Sequence, residues 1–217
     1  MKLKFLKYPI PLCYYKFMKL SFIYRIVFLC ILTFGLVMRF IYNDLSVLAY
    51  FTIQSNLFIW AWWLLKVTYG RNNQELLIFH PGFKGALLLY ILTTGILYQV
   101  LLAGTIEETS VIKSILLQIN HGITPIAFLI DWIFFTPRKV IVPKYLFLWL
   151  IYPAFYLLIS ILYGVGNGVY LYYFLDINKL GINSFLVSLG GLMVFFLLLS
   201  SIILFIHNAW CRKQHAP

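Results

Sequence analysis

Two stretches of this chain place polar side chains at helical spacing inside otherwise apolar sequence. In Tyr50-Phe51-Thr52-Ile53-Gln54-Ser55-Asn56, the residues Thr52, Ser55 and Asn56 stand at i, i+3 and i+4 and share one helix face, opposite an apolar stripe of Ile53, Leu57, Trp60 and Leu64. Further along, Ser114, Gln118, His121 and Pro125 follow i, i+4, i+7 and i+11, with Asn120, Thr124 and Asp131 on the neighbouring stripe. Pro125 has no N–H for the carbonyl of His121, so a kink and an unpaired acceptor are expected beside that histidine. A threonine hydroxyl becomes a nucleophile when a neutral imidazole takes its proton. Thr52 and His121 are therefore the candidate catalytic pair, and Asn56, Gln118 and Asn120 are candidate binding groups or donors to a developing oxyanion. No acidic orienter for the imidazole is evident. Asp131 lies ten residues further on, near Arg138 and Lys139, and reads as an interfacial charge partner.

Each residue also has a plainer role. Thr52 and Ser55 can bond the carbonyl four residues back, and Gln54, Asn56, Gln118 and Asn120 can hydrogen-bond between helices. His121 is harder to assign that way, because an ionisable group at membrane depth is by default a functional-site hypothesis.

The elements that must position these residues follow from composition. The chain has 217 residues, 63% of them hydrophobic and only 11% charged, with a mean hydropathy of +0.92. About a quarter charged is usual for soluble domains, so a soluble fold is excluded, as are disordered, collagen-like and disulfide-framework classes. A membrane-crossing helix needs about 20 mostly apolar residues. Six such stretches are present: 22–42, 46–66, 85–104, 112–135, 145–165 and 184–207. The expected fold is all-α, a polytopic six-transmembrane-helix bundle (22–207) between a basic N-terminal segment (1–21) and a short tail (208–217).

Lys and Arg fall mostly on one side of those spans: Lys2, Lys4, Lys7, Lys16 and Lys19 before the first, Lys66, Arg71 and Lys84 around the second connection, Arg138, Lys139 and Lys144 around the fourth, and Arg212 and Lys213 at the end. Arg39, Lys113 and Lys179 fall on the other, and Arg25 lies just inside the first span. The positive-inside rule then places both termini in the cytoplasm of a cell-membrane protein. The net charge of +11 is thus a statement of topology, and no nucleic-acid partner is expected. Pro9, Pro11 and Lys16 interrupt the first apolar stretch and no small-residue cleavage site comes after it, so it reads as an uncleaved anchor, with Met1 or Met18 as the start. Cys13 and Cys211 fall on the reducing side and Cys30 within a helix, so no disulfide is expected.

Both polar stretches enter from the exoplasmic side. Thr52 lies six residues inside its span and His121 nine, which places them about 9 and about 13 Å below the helix starts, depths compatible with one shared site. The exoplasmic run Tyr163 to Asp176 carries Gly164, Gly166 and Gly168 and then a Tyr-rich segment. It is either an aromatic belt or a loop folded back over the bundle mouth, with Asp176 capping the segment after it. His207 stands at the opposite membrane face from His121, and His80 and His215 lie in cytoplasmic segments, so neither a bis-histidine haem nor a metal site is expected. No nucleotide motif occurs, and no cofactor is expected.

Four blocks occur in order: Tyr50 to Asn56, Asn120-His121-Gly122-Ile123-Thr124-Pro125 with Asp131-Trp132, Trp149 to Tyr156, and Tyr170 to Asp176. From about Arg25 to His207 the chain is similar to the bacterial and fungal six-helix membrane family called Pr-six-Pr. More distantly, the aromatic-x-Thr segment and the Asn-His pair resemble the animal androgen-induced and androgen-dependent membrane proteins. That resemblance implies a six-helix fold and hydrolysis of fatty acid esters of hydroxy fatty acids by an intramembrane threonine and a histidine, which by motif are Thr52 and His121. The chain departs from the animal pattern at Ile123-Thr124-Pro125, where a second histidine stands, and at Leu171, where a proline comes after the first loop tyrosine.

Two functions are consistent with these residues. One is an intramembrane Thr/His lipid-ester hydrolase. The alternative is a non-enzymatic lipid or small-molecule binding protein or transporter whose passage the same polar face lines. Both imply membrane lipids as surroundings, and a lipid ester or another amphipathic small molecule as ligand.

Overall fold

The computed structural model describes residues 12–43, 45–70, 76–103 and 110–213. The charges at Lys2, Lys4, Lys7 and Arg71, the prolines at 9 and 11, and His215 lie outside the described residues. Six helices account for nearly all the rest, with no strand among the described residues: α1 (Leu12–Asn43), α2 (Phe51–Thr68), α3 (Pro81–Leu102), α4 (111–135), α5 (Lys144–Asn167) and α6 (Ile177–Lys213). Four contain stretches long and apolar enough to cross a membrane, namely Phe17–Asn43, Pro81–Leu102, Lys144–Asn167 and Ile177–Lys213. The other two, α2 and α4, carry the polar stretches around Thr52 and His121.

Helix α1 extends ten residues further toward the N-terminus than the span beginning at Phe22, so part of the basic segment is helical. Helix α6 likewise begins at Ile177, ahead of Ser184, and its backbone is broken at Gly181. Asp176 caps that first turn, its Oδ1 accepting from the backbone N–H groups of Asn178 and Lys179.

Cross-chain bonds give the directions. Arg25 early in α1 and Lys84 early in α3 meet Asp131 late in α4 and Trp63 late in α2. Trp149 early in α5 donates to the carbonyl of Gly82 at 2.7 Å, and Asn208 late in α6 bonds Ile141 just before α5. Successive helices therefore alternate in direction, and α2 and α4 run parallel. Helix α3 is the axis: 56% of its most apolar window is buried, against 22% in the other three long apolar helices. Around it Leu32, Ile59, Trp62, Trp63, Leu88, Ile91, Phe128 and Trp149 form the main core. On α5, Phe147, Ile151, Phe155, Leu158 and Leu162 recur every three or four residues and all point outward. In water such an apolar face would be a liability; in lipid it is the expected exterior.

One polar knot lies inside this core. The Asp131 carboxylate, 0% exposed, accepts from Arg25 Nε (2.7 Å) and Nη2 (3.2 Å), from Trp63 Nε1 (3.2 Å) and from Lys84 Nζ. Lys84 also donates to the Asp131 carbonyl and to Thr136 Oγ1. Asp131 is thus not the interfacial partner of Arg138 and Lys139. Arg138 instead donates to the Ile133 carbonyl and stacks on Trp210, while Asp131, on α4, is joined to α1 and α3 through cations distant in sequence and to α2 through the Trp63 indole.

Candidate functional site

Thr52 is the second residue of α2. Extended Tyr50 separates α2 from the short 3-10 turn Leu45–Ala49, and the Leu48 carbonyl four residues back is taken by the Gln54 side chain at 2.7 Å. The hydroxyl finds its partner across the bundle instead: Thr52 Oγ1 lies 3.2 Å from His121 Nε2. The other ring nitrogen, Nδ1, lies 3.1 Å from the carbonyl of Leu117. A carbonyl only accepts, so Nδ1 carries the hydrogen and Nε2 of the neutral ring presents its lone pair to the threonine hydroxyl. The orienter that was missing among acidic residues is thus a backbone carbonyl.

Local helix geometry places the ring. Residues Ile119–Ile123 form a π turn, in which the Thr124 N–H reaches back to Ile119. Pro125, with no N–H to offer His121, comes immediately after, so the expected distortion takes the form of a widened turn, as is common at functional sites. Helix α3 contains a second π turn, Tyr98–Leu102, and the Tyr98 ring stacks on His121 with centroids 4.3 Å apart. Gly95 permits this approach, because a Cβ there would meet the His121 carbonyl at 3.1 Å and Pro125 at 3.2 Å.

The N-terminus of α2 is held by tyrosines. The Phe51 N–H, orphaned at a helix start, donates to both Tyr156 Oη (3.0 Å) and Tyr172 Oη (3.1 Å), and Tyr156 donates in turn to the Ala49 carbonyl. Tyr172 belongs to the Tyr-rich segment, whose Phe174 and Leu175 are buried. Of the two readings of that segment, the loop folded over the mouth is the one observed. Gly168 ends α5 in the left-handed conformation, at φ 71°, and turns the chain into it.

The candidate donors separate. Asn56 commits its amide nitrogen to the carbonyls of Thr52 (2.8 Å) and Asn120 (3.1 Å), tying together the two backbones that carry the pair. It therefore positions the site and has no N–H left to offer a ligand. Gln118 is exposed and does not line the site, because a π turn advances each residue by less than the 100° of an α-helix and shifts it out of register with His121. Asn120 is fully buried beside the pair, and its Oδ1 and Nδ2 have no partner among the described residues. Gln54 joins helices, accepting from Tyr152 at 2.6 Å.

Two cavities meet at Thr52. The larger, about 380 Å³, has a mixed lining: Arg39, Asn43, Tyr50, Asn120, His121 and Tyr173 together with apolar Val47, Ile53, Leu117 and Leu171. The smaller, about 50 Å³, is an apolar slot between α3, α5 and α6, walled by Leu97, Leu157, Leu192 and Phe196. Thr52, Leu102 and Tyr172 line both. Tyr98, the Leu117 carbonyl and Tyr172 do not stand out individually in the sequence; an aromatic residue opposite a histidine in an apolar stretch is the only signal that points to any of them. Neither family models, nor curated proteins, nor solved structures gave a match to this chain.

Proposed function

We propose that the chain is a six-span membrane protein of the Pr-six-Pr kind, with both termini cytoplasmic, that hydrolyses lipid esters in the outer half of the cell membrane. The observation that carries this is the 3.2 Å contact between Thr52 Oγ1 and His121 Nε2, with the ring's tautomer set by Leu117. In the proposed reaction Thr52 Oγ1 bonds to the ester carbonyl carbon while its proton passes to His121 Nε2. The tetrahedral intermediate collapses to an acyl-threonine, and the alcohol leaves with the proton from His121. Water, deprotonated by the same nitrogen, then releases the carboxylic acid and restores the threonine. The sequence resemblance to the androgen-induced proteins supports the same pair of residues.

The test uses purified protein with a fluorophosphonate probe and with fatty acyl esters. Labelling and turnover are expected for the parent chain and lost in both Thr52→Ala and His121→Ala; labelling that survives both changes would remove the hydrolase. The second reading, a non-enzymatic binding protein or transporter, is favoured by the size of the chamber beside the pair. It requires ligand binding or flux in proteoliposomes without turnover, little affected by Thr52→Ala.

A further inference from the structure

We infer that the 380 Å³ chamber is a head-group site for a single-chain amphiphile bearing neighbouring hydroxyls, of glycerol or sugar type, read by Asn43 and Asn120. The inference rests on the chamber being the ligand site of the Thr52–His121 pair.

Its basis is the distribution of side-chain amides. Away from the chamber they are largely engaged: Gln54 bonds Leu48 and Tyr152, Asn208 bonds both backbone groups of Ile141, and Asn56, next to Asn120, commits its nitrogen and leaves only Oδ1 without a partner among the described residues. At the chamber they are not. Asn43 Oδ1, Asn120 Oδ1 and Asn120 Nδ2 are buried without a partner among the described residues, and both asparagines line the cavity. Buried amide atoms left in this way are costly, so the pattern selects the ligand that completes them. An anionic group brings only acceptors and an ammonium only donors. A hydroxyl brings both, and two neighbouring hydroxyls match the adjacent O and N of one carboxamide. Tyr50, Tyr172 and Tyr173 on the same walls add flat faces suited to the C–H edges of a polyol, the hydroxyls of the last two being engaged with Phe51 and Leu101.

The rest of the site fits this orientation. His121 lines the chamber and not the slot, so it stands on the side from which a polyol alcohol would leave and need a proton. The apolar slot takes the first methylenes of the acyl chain, and Thr52, at the junction, meets the ester between them.

The experiment measures displacement of a fluorescent monoacyl lipid from the full chain in lipid nanodiscs, with Thr52→Ala as the background so that no competitor is consumed. Competitors are 1-oleoylglycerol, a mono-oleoyl glucose ester, and propyl oleate, which is 1-oleoylglycerol without its two hydroxyls. Propyl oleate is expected to bind about tenfold or more weakly than either polyol ester, the loss of a single net hydrogen bond or more. That gap should close in Asn120→Leu, whose backbone carbonyl still accepts from Asn56, and narrow in Asn43→Leu. Equal binding of propyl oleate, or a gap that persists in both variants, overturns the proposal. Discrimination by a parent chain that turns nothing over keeps the head-group site and removes the hydrolase; turnover without discrimination does the reverse.

Discussion

Replacing Asp131 with asparagine removes the anion that Arg25 and Lys84 share. Both cations are almost wholly buried, at 6% and 1% exposure, and the carboxylate between them at 0%. Four N–H donors converge on its two oxygens, from Arg25, Trp63 and Lys84. An asparagine would keep one oxygen and turn an NH2 toward groups that only donate, leaving two positive charges uncompensated. Breaking a buried pair in this way costs about 3–5 kcal/mol, a large share of the roughly 5–15 kcal/mol that holds a domain folded. For a chain of this length that corresponds to a fall in Tm of about 6–20 °C. The assay is thermal unfolding of purified protein in a fixed detergent, monitored by tryptophan fluorescence. A second variant separates charge from packing: Arg25→Met, Asp131→Leu and Lys84→Met together remove all three charges while keeping apolar volume, and should unfold above Asp131→Asn. A Tm for Asp131→Asn within about 2 °C of the parent would refute the reasoning, because the cations would then be shown to find compensation elsewhere.

Three further outcomes are expected. Tyr156→Phe and Tyr172→Phe each leave the Phe51 N–H one acceptor, so each should be mild; together they orphan it, and a double-mutant cycle on thermal stability should show coupling of about 1–3 kcal/mol. Pro125→Ala supplies the N–H that the His121 carbonyl lacks and favours a regular turn over the π turn, so Tm should rise while fluorophosphonate labelling of Thr52 falls about tenfold; unchanged labelling would count against the π turn as the device that places the ring. Tyr98→Leu removes the ring stacked on His121 but keeps apolar bulk, and should lower kcat about tenfold with KM and Tm little changed.

How much of this was legible in the sequence depended on whether the partner lay along the helix or across it. Thr52 and His121 could be singled out, and even matched in depth, because counting residues from the helix starts is enough when both helices run the same way. The Leu117 carbonyl could not, since a backbone carbonyl has no residue type to betray it. Asp131 reads in the sequence against its neighbours, Arg138 and Lys139. Its partners are Arg25 and Lys84, 106 and 47 residues away, and a count of charges by loop places them at one end of the bundle without saying that they meet. Gln118 failed for a different reason: its alignment with His121 assumed 100° per residue, and the widened turn does not keep that pitch. The presence of six helices was readable from the apolar stretches, whereas the extension of α1 to Leu12 was not, because a basic stretch can be helical outside the apolar span.

The two polar clusters depend on each other through the register of α2 against α4. Three contacts tie these parallel helices: Thr52 to His121, Asn56 to Asn120, and Trp63 to Asp131. The first two lie at the mouth and the third about 15 Å away, since Thr52 to Trp63 and His121 to Asp131 are each about ten residues of helix. A slide of α2 by one residue, about 1.5 Å, would break the Trp63–Asp131 bond and carry Thr52 Oγ1 out of reach of Nε2. The ion cluster pins α1 and α3 to the far end of the same pair of helices, so it bears on the placement of the hydroxyl without touching it. Asp131→Asn should therefore slow fluorophosphonate labelling of Thr52 even at temperatures where the variant is fully folded, whereas an equally destabilising cavity on the lipid-facing side of α5 should not. Equal labelling of the two folded variants would show that the cluster supports stability alone.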